Sequence, residues 1–510
     1  MNIHQSPFPI LIIAAPLLTA FVLPVVGWWW RRAVFPLALA ALTFSLGASI
    51  VVARDVLTHG PVQYFLGGWE PPWGIEFRVD HLGALMLLLL TFVTLVVGIY
   101  SKQSILKEIP EKAVPLYTVY LLLVTGLTGM AATADMFNLY VFLEISSLTS
   151  YALISIGGGK AVVSAFRYVI LGTVGAAFYL LSVGYLYSVT GSLNMADLAG
   201  LLPSLYDSGA VLVAFAFFVI GISIKMALFP MHAWLPGAYS DAPSAVSALI
   251  AATTTKVAAY VLVRVMYFVF EPRFSVEMVP VTPLLAWMGA IAMVLGSVMA
   301  MAQSDLKRML AYSSVAQIGY IVLGIGLANA MGLTGGLLHL VSHALMKGCL
   351  FLVAGAIVYR TGLREIKDLR NLSVKMPWTA GIFAIAALSM IGIPPFCGFF
   401  SKLYLIMGAV EAGQWLFVGV ILFSSVLALA YFGNVIRYMY LPKETPEEAP
   451  SMPVRKEAPW TMLAPMLTLA AAIVLVGLFN GAIVHGFLEH AVPAGLAGSD
   501  GRAASVGLGR

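Results

Sequence analysis

Charge is scarce in this chain of 510 residues: 10% are Asp, Glu, Lys or Arg, against 61% hydrophobic, and the mean hydropathy is +0.95. A soluble domain carries about 25% charged residues. With 28 basic and 23 acidic side chains there is too little polar surface to coat several folded cores, which excludes a water-soluble enzyme. Cysteine is almost missing. Cys349 and Cys397 lie far apart in apolar stretches, so neither a disulfide framework nor a CxxC metal or redox site is present, and no cofactor is expected. Gly157, Gly158 and Gly159 lack the Lys-Ser/Thr pair of a phosphate loop. The N-terminal MNIHQSP lacks the basic stretch of a secretory signal, and the first apolar run ends in bulky Val25, Val26 and Trp28, so it reads as a retained helix. The net charge of +5 falls in short loops between apolar runs, where it orients a membrane protein and argues against nucleic acid as a partner.

Long apolar runs are abundant. Stretches of about 20 residues, enough to cross about 30 Å of hydrocarbon, fall near 8–26, 33–53, 82–100, 114–132, 136–155, 163–188, 209–229, 243–263, 282–302, 309–327, 332–358, 378–404, 414–436 and 460–484. The expected class is an all-α polytopic membrane protein with about 14 spans. Counting loop cations with the N-terminus outside puts 18 on one face and six on the other. The bias places both termini outside a plasma or inner cell membrane. The charged, proline-rich segment 443–459 then reads as a flexible cytoplasmic connection.

Four of the 28 cations belong to no loop: Lys225, Lys256, Lys347 and Lys402 stand inside apolar spans, and Glu144 is the one carboxylate there. A charge at the bilayer centre costs about 2.5 to 3.5 kcal/mol on insertion scales, so five on one chain require a role. Lysine titrates when buried whereas arginine keeps its proton, so a lysine set suits proton transfer. A carboxylate within reach favours the protonated lysine; a pairing of Glu144 with Lys225 would make such a site.

Two spans are interrupted. KMALFPMHAWLP places Pro230 and Pro236 after Lys225, and IGIPPFCGFFSKLYL places Pro394 and Pro395 before Lys402. Each proline removes helix hydrogen bonds and frees carbonyls that must face protein or water. Two broken helices in corresponding positions suggest inverted repeats of five spans: residues 1–113 would precede them, 114–264 and 280–438 would form them, and 439–510 would hold the last connection, span and tail. In the eleventh span His339, His343 and Lys347 share one helix face. Two histidines at that spacing could bind zinc, but no HExxH ligand set exists and the lysine opposes a cation, so a relay of titratable groups fits better and no metal is expected. His232, in the first break, is a further candidate for that relay.

Five motifs in order, FNLYVFLEISSLTSYALI, KMALFPMHAWLPGAYSDAPSAVSALIAATTTKVAAYVLVR, SDLKRMLAYSSVAQIGYIVLG, HLVSHALMKGCLFLVAG and IGIPPFCGFFSKLYL, resemble the proton-translocating antiporter-like subunits of respiratory complex I, membrane-bound hydrogenases and Mrp-type cation/proton antiporters. The resemblance covers about residues 75 to 440. It implies that Glu144 and Lys225 form the carboxylate–lysine pair, Lys256 connects, His339, His343 and Lys347 relay, and Lys402 is the terminal ionisable group. Lysine at 402, with Gly237 and Tyr239 where many complex I relatives carry acidic and histidine residues, is most similar to the D type of Mrp antiporter subunit. The implied function is ion translocation within a multisubunit Na+/H+ antiporter with other membrane subunits as partners. The alternative is a proton-pumping subunit of a redox complex, an NADH-quinone oxidoreductase or hydrogenase. A self-sufficient carrier of an organic solute is a third reading.

Overall fold

The computed structural model describes residues 4–441 and 457–496. Thirteen described helices are long and apolar enough to cross a membrane by length and composition. In chain order the helices are α1 (Phe8–Trp29), α2 (Val34–His59), α3 (His81–Glu108), α4 (Ala113–Ala132), α5 (Met136–Ser155), α6 (Lys160–Thr190), the short α7 (Met195–Leu201), α8 (Gly209–Met226), the short α9 (Leu235–Asp241), α10 (Ser244–Arg264), α11 (Val281–Met301), α12 (Leu306–Gly326), α13 (Ala330–Thr361), the single turn α14 (Leu372–Lys375), α15 (Pro377–Ile391), α16 (Cys397–Glu411), α17 (Trp415–Tyr440) and α18 (Trp460–Leu478). The twelfth expected span, 378–404, is the pair α15 and α16, two half-helices of 15 residues each. Most of the connection expected at 443–459, and both chain ends, lie outside the described residues.

Local chemistry sets the helix boundaries. Asp80, Asp135, Asp305 and Asn329 each accept from a backbone N–H three residues on, at 2.9, 2.6, 2.9 and 2.8 Å, and so cap α3, α5, α12 and α13. α6 and α13 end on the left-handed glycines Gly191 and Gly362. Within the hydrocarbon every backbone group must be paired, which explains why apolar runs so cleanly become helices. α10, α12 and α13 are almost wholly enclosed, while α1 and α17 keep broad apolar faces exposed at the rim. α13 packs against α10, α12, α15, α16 and α18, so the three titratable residues expected on it sit at the centre of the molecule.

Two features depart from the sequence reading. Beside the helices there is a small sheet in the order β1 (His4–Gln5), β2 (Val62–Phe65), β3 (Glu76–Val79), parallel then antiparallel. It ties the segment before α1 to the connection between α2 and α3, where Glu76 accepts from Gln63 at 2.7 Å and Asn194 at 2.6 Å. Lys307, counted as a loop cation, is instead buried at 5% exposure and donates to the Ala242 carbonyl at 2.7 Å. Arg364 beside it donates to Asp305 at 2.8 Å and to the Ser240 carbonyl at 3.1 Å, and Glu108 accepts from the Ser244 N–H at 3.0 Å. These bonds stitch the α9–α10 corner to the end of α3, the start of α12 and the segment after α13.

At the opposite end Arg264 closes α10 against α3, donating from both guanidinium nitrogens to Asp80 at 2.5 and 2.6 Å. Burial alone would push the Asp80 carboxyl up, but Arg264, with the Gly83 N–H and Arg78, brings it down to about 2. A folded-state value below the ordinary carboxylate range means that the pair's stabilisation is present above about pH 4 and is lost as the pH falls through about 2. Asp80→Asn removes the charge and leaves a partly buried guanidinium unpaired, at a cost of about 1 to 3 kcal/mol. The variant is expected to melt earlier than the parent in detergent at pH 7, with the difference narrowing only in strong acid. An unchanged melting temperature at neutral pH would remove this clasp from the stability of the fold.

Candidate functional site

α8 stops at Met226 because Ala227 takes a left-handed conformation (φ 57). Pro230 and the turns after it then carry the chain to α9, which holds Pro236 in its first turn. The Ile224 carbonyl accepts both the Ala227 N–H at 3.1 Å and the Trp234 indole at 3.0 Å, so the break is compensated inside the protein. Lys225 lies in the last turn of α8, where the helix dipole favours a cation. Its Nζ donates to Ser147 Oγ at 2.7 Å and lies 3.5 Å from Glu144 Oε1, both on α5. The expected pair is therefore in contact, and its two members differ in exposure: the Lys225 side chain is 6% exposed and that of Glu144 27%. Glu144 thus opens toward the outside of the protein. A cavity of about 20 Å³ beside Lys225 is lined by Ser146, Ser147, Ser150, Tyr168 and Thr254. That is room for about one water, placed between α5 and α10.

Deeper in, Lys256 is fully buried on α10 and donates to Thr255 Oγ1 at 3.3 Å and to the Ala251 carbonyl. It and Lys347 are both charge neighbours of the fully buried His343 ring. Neither nitrogen of His343 has a hydrogen-bond partner. A buried imidazole without a hydrogen-bond partner is costly. Lys347 donates to the Leu310 carbonyl at 2.8 Å and to Ser313 Oγ, both on α12. The His339 ring stands 6.2 Å from that of His343, nearly parallel to it. His339 is held from both sides, by Ser401 at 2.9 Å and Gln317 at 2.8 Å.

Lys402 closes the line. It sits on α16 but reaches back across the break to the last carbonyls of α15, donating to Met390 at 3.0 Å, Ile391 at 2.9 Å and Ser425 Oγ at 3.0 Å. Its ammonium also lies 4.8 Å from the centre of the Tyr320 ring, which in turn stands 5.1 Å from the His339 ring. The two half-helices approach closely because position 398 is glycine: a Cβ there would lie 1.9 Å from the Ser389 carbonyl oxygen. Among the described residues, no carboxylate lies within ion-pair distance of Lys256, Lys347 or Lys402. Their ammonium groups donate to carbonyls and hydroxyls, with the face of Tyr320 beside Lys402.

The geometry ties Glu144 to Lys225, His343 to His339, and His339 through the Tyr320 ring to Lys402, with Lys256 and Lys347 fully buried on α10 and α13. His232 is not drawn into this set by any hydrogen bond: it stacks on Phe229 at 5.1 Å, and its Nδ1 has no partner. Sequence reasoning missed the neutral side chains that hold the axis, Ser147, Ser313, Gln317, Tyr320, Ser401 and Ser425. The repeated serine pairs at 146–147, 313–314 and 424–425 were the available signal.

A family model described as NADH:quinone oxidoreductase/Mrp antiporter, TM matches residues 133–428. The chain is 48% identical over 499 residues to the N subunit of NADH-quinone oxidoreductase from Desulforudis audaxviator, covering 95% of this chain and 98% of that one. It is 33% identical over 442 residues to the D subunit of the Na(+)/H(+) antiporter from Alkalihalophilus pseudofirmus, covering 86% and 87%. Among solved structures, a chain of the Mrp complex from Dietzia sp. DQ12-45-1b superposes with a TM-score of 0.86 at 28% identity, covering 96% of this chain and 98% of that one. The match spans the axis and both interrupted helices, and the chain belongs to the NADH:quinone oxidoreductase/Mrp antiporter transmembrane family.

Proposed function

We propose that this chain is the ion-translocating membrane subunit of a multisubunit assembly in the cell membrane, moving protons along the axis from Glu144 to Lys402. The observation that carries this reading is the set of titratable groups inside the fold, whose four lysines bond to carbonyls, hydroxyls or Glu144. In this reading Glu144 and Lys225 set the proton affinity of one end, Lys256, His343 and Lys347 pass the proton across the centre with His339 beside them, and Lys402 exchanges it at the other end. Residues 114–264 and 280–438 act as inverted repeats, each supplying one broken helix, and both termini lie outside.

Two hosts compete. Lysine at 402 supports an Mrp-type Na+/H+ antiporter, in which proton movement drives sodium or another monovalent cation the opposite way. The 48% identity over almost the whole chain to a component of NADH-quinone oxidoreductase, against 33% to the antiporter component, supports the redox-complex reading. Purification in mild detergent with mass spectrometry of the accompanying chains decides between them. Small membrane subunits alone identify the antiporter, and subunits bearing redox centres identify the oxidoreductase. A chain that purifies alone and transports an organic solute would overturn both.

A further inference from the structure

At the basic-loop end of the second half, a cavity of about 260 Å³ opens between α11, α12 and α17, with the turn at Ile366 at its edge. Its mouth is exposed and partly polar: Met301 and Asn434 are exposed and Gln303 is half-buried. Its inner wall is formed by the buried Ala300, Met309 and Tyr431. Lys307 and Arg308 at the start of α12 place this mouth on the cation-rich face.

Tyr431 is the unusual member. Its side chain is 5% exposed, and its hydroxyl has no hydrogen-bond partner. A buried hydroxyl left unpaired costs about 1 to 3 kcal/mol, and a cavity this size has space for several waters beside it. On its inner side the hydroxyl stands within interaction range of Ser297 and Ser313. Ser313 Oγ accepts directly from Lys347 Nζ. Ser297 contacts Ser424 at 3.3 Å, and the adjacent Ser425 accepts from Lys402 at 3.0 Å. The tyrosine therefore stands between an open vestibule and the hydroxyls that solvate the two lysines of the second half.

We propose that this vestibule is a proton entry from the basic-loop face to Lys347, with the Tyr431 hydroxyl as the group that joins it to Ser313. The inference rests on the proton-translocating reading and adds to it a route that none of the titratable residues reveals. The step balances without any redox partner: the Tyr431 oxygen takes a proton from a hydronium in the vestibule, leaving water, and gives its own to Ser313 Oγ, which passes its proton to the neutral Lys347 amine. Each hydroxyl breaks one O–H bond as it forms another, and the net change is one proton moved onto Lys347.

The test uses the full complex in membrane vesicles of known orientation. Asn434→Cys and Gln303→Cys place thiols at the mouth, against a background of two native cysteines that are both buried. A small, membrane-impermeant cationic thiol reagent is expected to label both positions from the basic-loop face only, and the labelled complexes to transport protons at least about tenfold more slowly than unlabelled ones. Tyr431→Phe, which keeps the ring and removes the hydroxyl, is expected to slow proton movement by about tenfold or more with assembled protein unchanged. Glu144→Ala serves as the reference for the parent reading. Loss of transport in Glu144→Ala together with normal rates in Tyr431→Phe and in the labelled cysteine variants would overturn the entry route alone. Normal transport in Glu144→Ala would overturn the translocation reading itself.

Discussion

Glu144→Ala and Lys225→Ala are each expected to cut proton movement about a hundredfold or more, the scale of a lost acid–base group, with assembled protein left in the membrane. The reason is the shape of the pair. Lys225 is buried, while Glu144 is partly open to the outside of the protein, and 3.5 Å separates them. When the pair closes, the carboxylate stabilises the ammonium; when Glu144 turns toward its exposed side, Lys225 keeps only Ser147 as a partner. The proton affinity of Lys225 then depends on where Glu144 points, which is what a carrier site requires. Lys225→Arg separates charge from proton transfer, because a guanidinium holds the ion pair yet does not give up its proton. It should assemble like the parent and transport like the alanine variant. Proton uptake by inverted vesicles, scored against the amount of assembled protein, decides the matter. Parental rates in the arginine variant would make Lys225 an electrostatic anchor and remove it from the proton path.

What could be read from the sequence follows the physics of the bilayer. Runs of about 20 apolar residues have one way to satisfy their backbones in lipid, so the spans were legible, including the two that prolines interrupt. Buried charges were legible by subtraction, since Lys225, Lys256, Lys347 and Lys402 had no loop to belong to. The groups that solvate them were not. A serine such as Ser313 or Ser425 bonds to its own helix as readily as to a neighbour, and only the fold shows that Lys347 and Lys402 donate to them. Lys307 failed for the opposite reason: one residue inside a helix start, it reads as a loop cation, but the α9–α10 corner folds over it. β1, β2 and β3 were missed because strands of two to four residues carry too little periodicity to register. Tyr431 reads as one more aromatic on an apolar helix, and only its missing hydrogen bond sets it apart.

Lys402 and Lys225 lie on opposite sides of their breaks in the chain, yet the fold gives both ammonium groups the C-terminal end of an interrupted helix. Lys225 belongs to the last turn of α8, and Lys402 donates to the last carbonyls of α15. Without a carboxylate, Lys402 depends on those two carbonyls, on Ser425 and on the face of Tyr320. Lys402→Ala is therefore expected to stop turnover. Gly392 offers a second test that leaves the lysine in place. Its φ of 98° is a conformation that favours glycine, and a Cβ there would come within 3.0 Å of Lys402 Cδ and 3.4 Å of Nζ. Gly392→Ala should crowd the ammonium off its carbonyls and slow turnover by about tenfold, the equivalent of about 1.4 kcal/mol in the barrier. Proton movement in vesicles from both variants, scored per assembled complex, checks the pair of expectations. If Lys402→Ala transports normally, the axis ends at His339 and Lys347; if only Gly392→Ala does, the lysine works without the carbonyl cradle and the break serves packing.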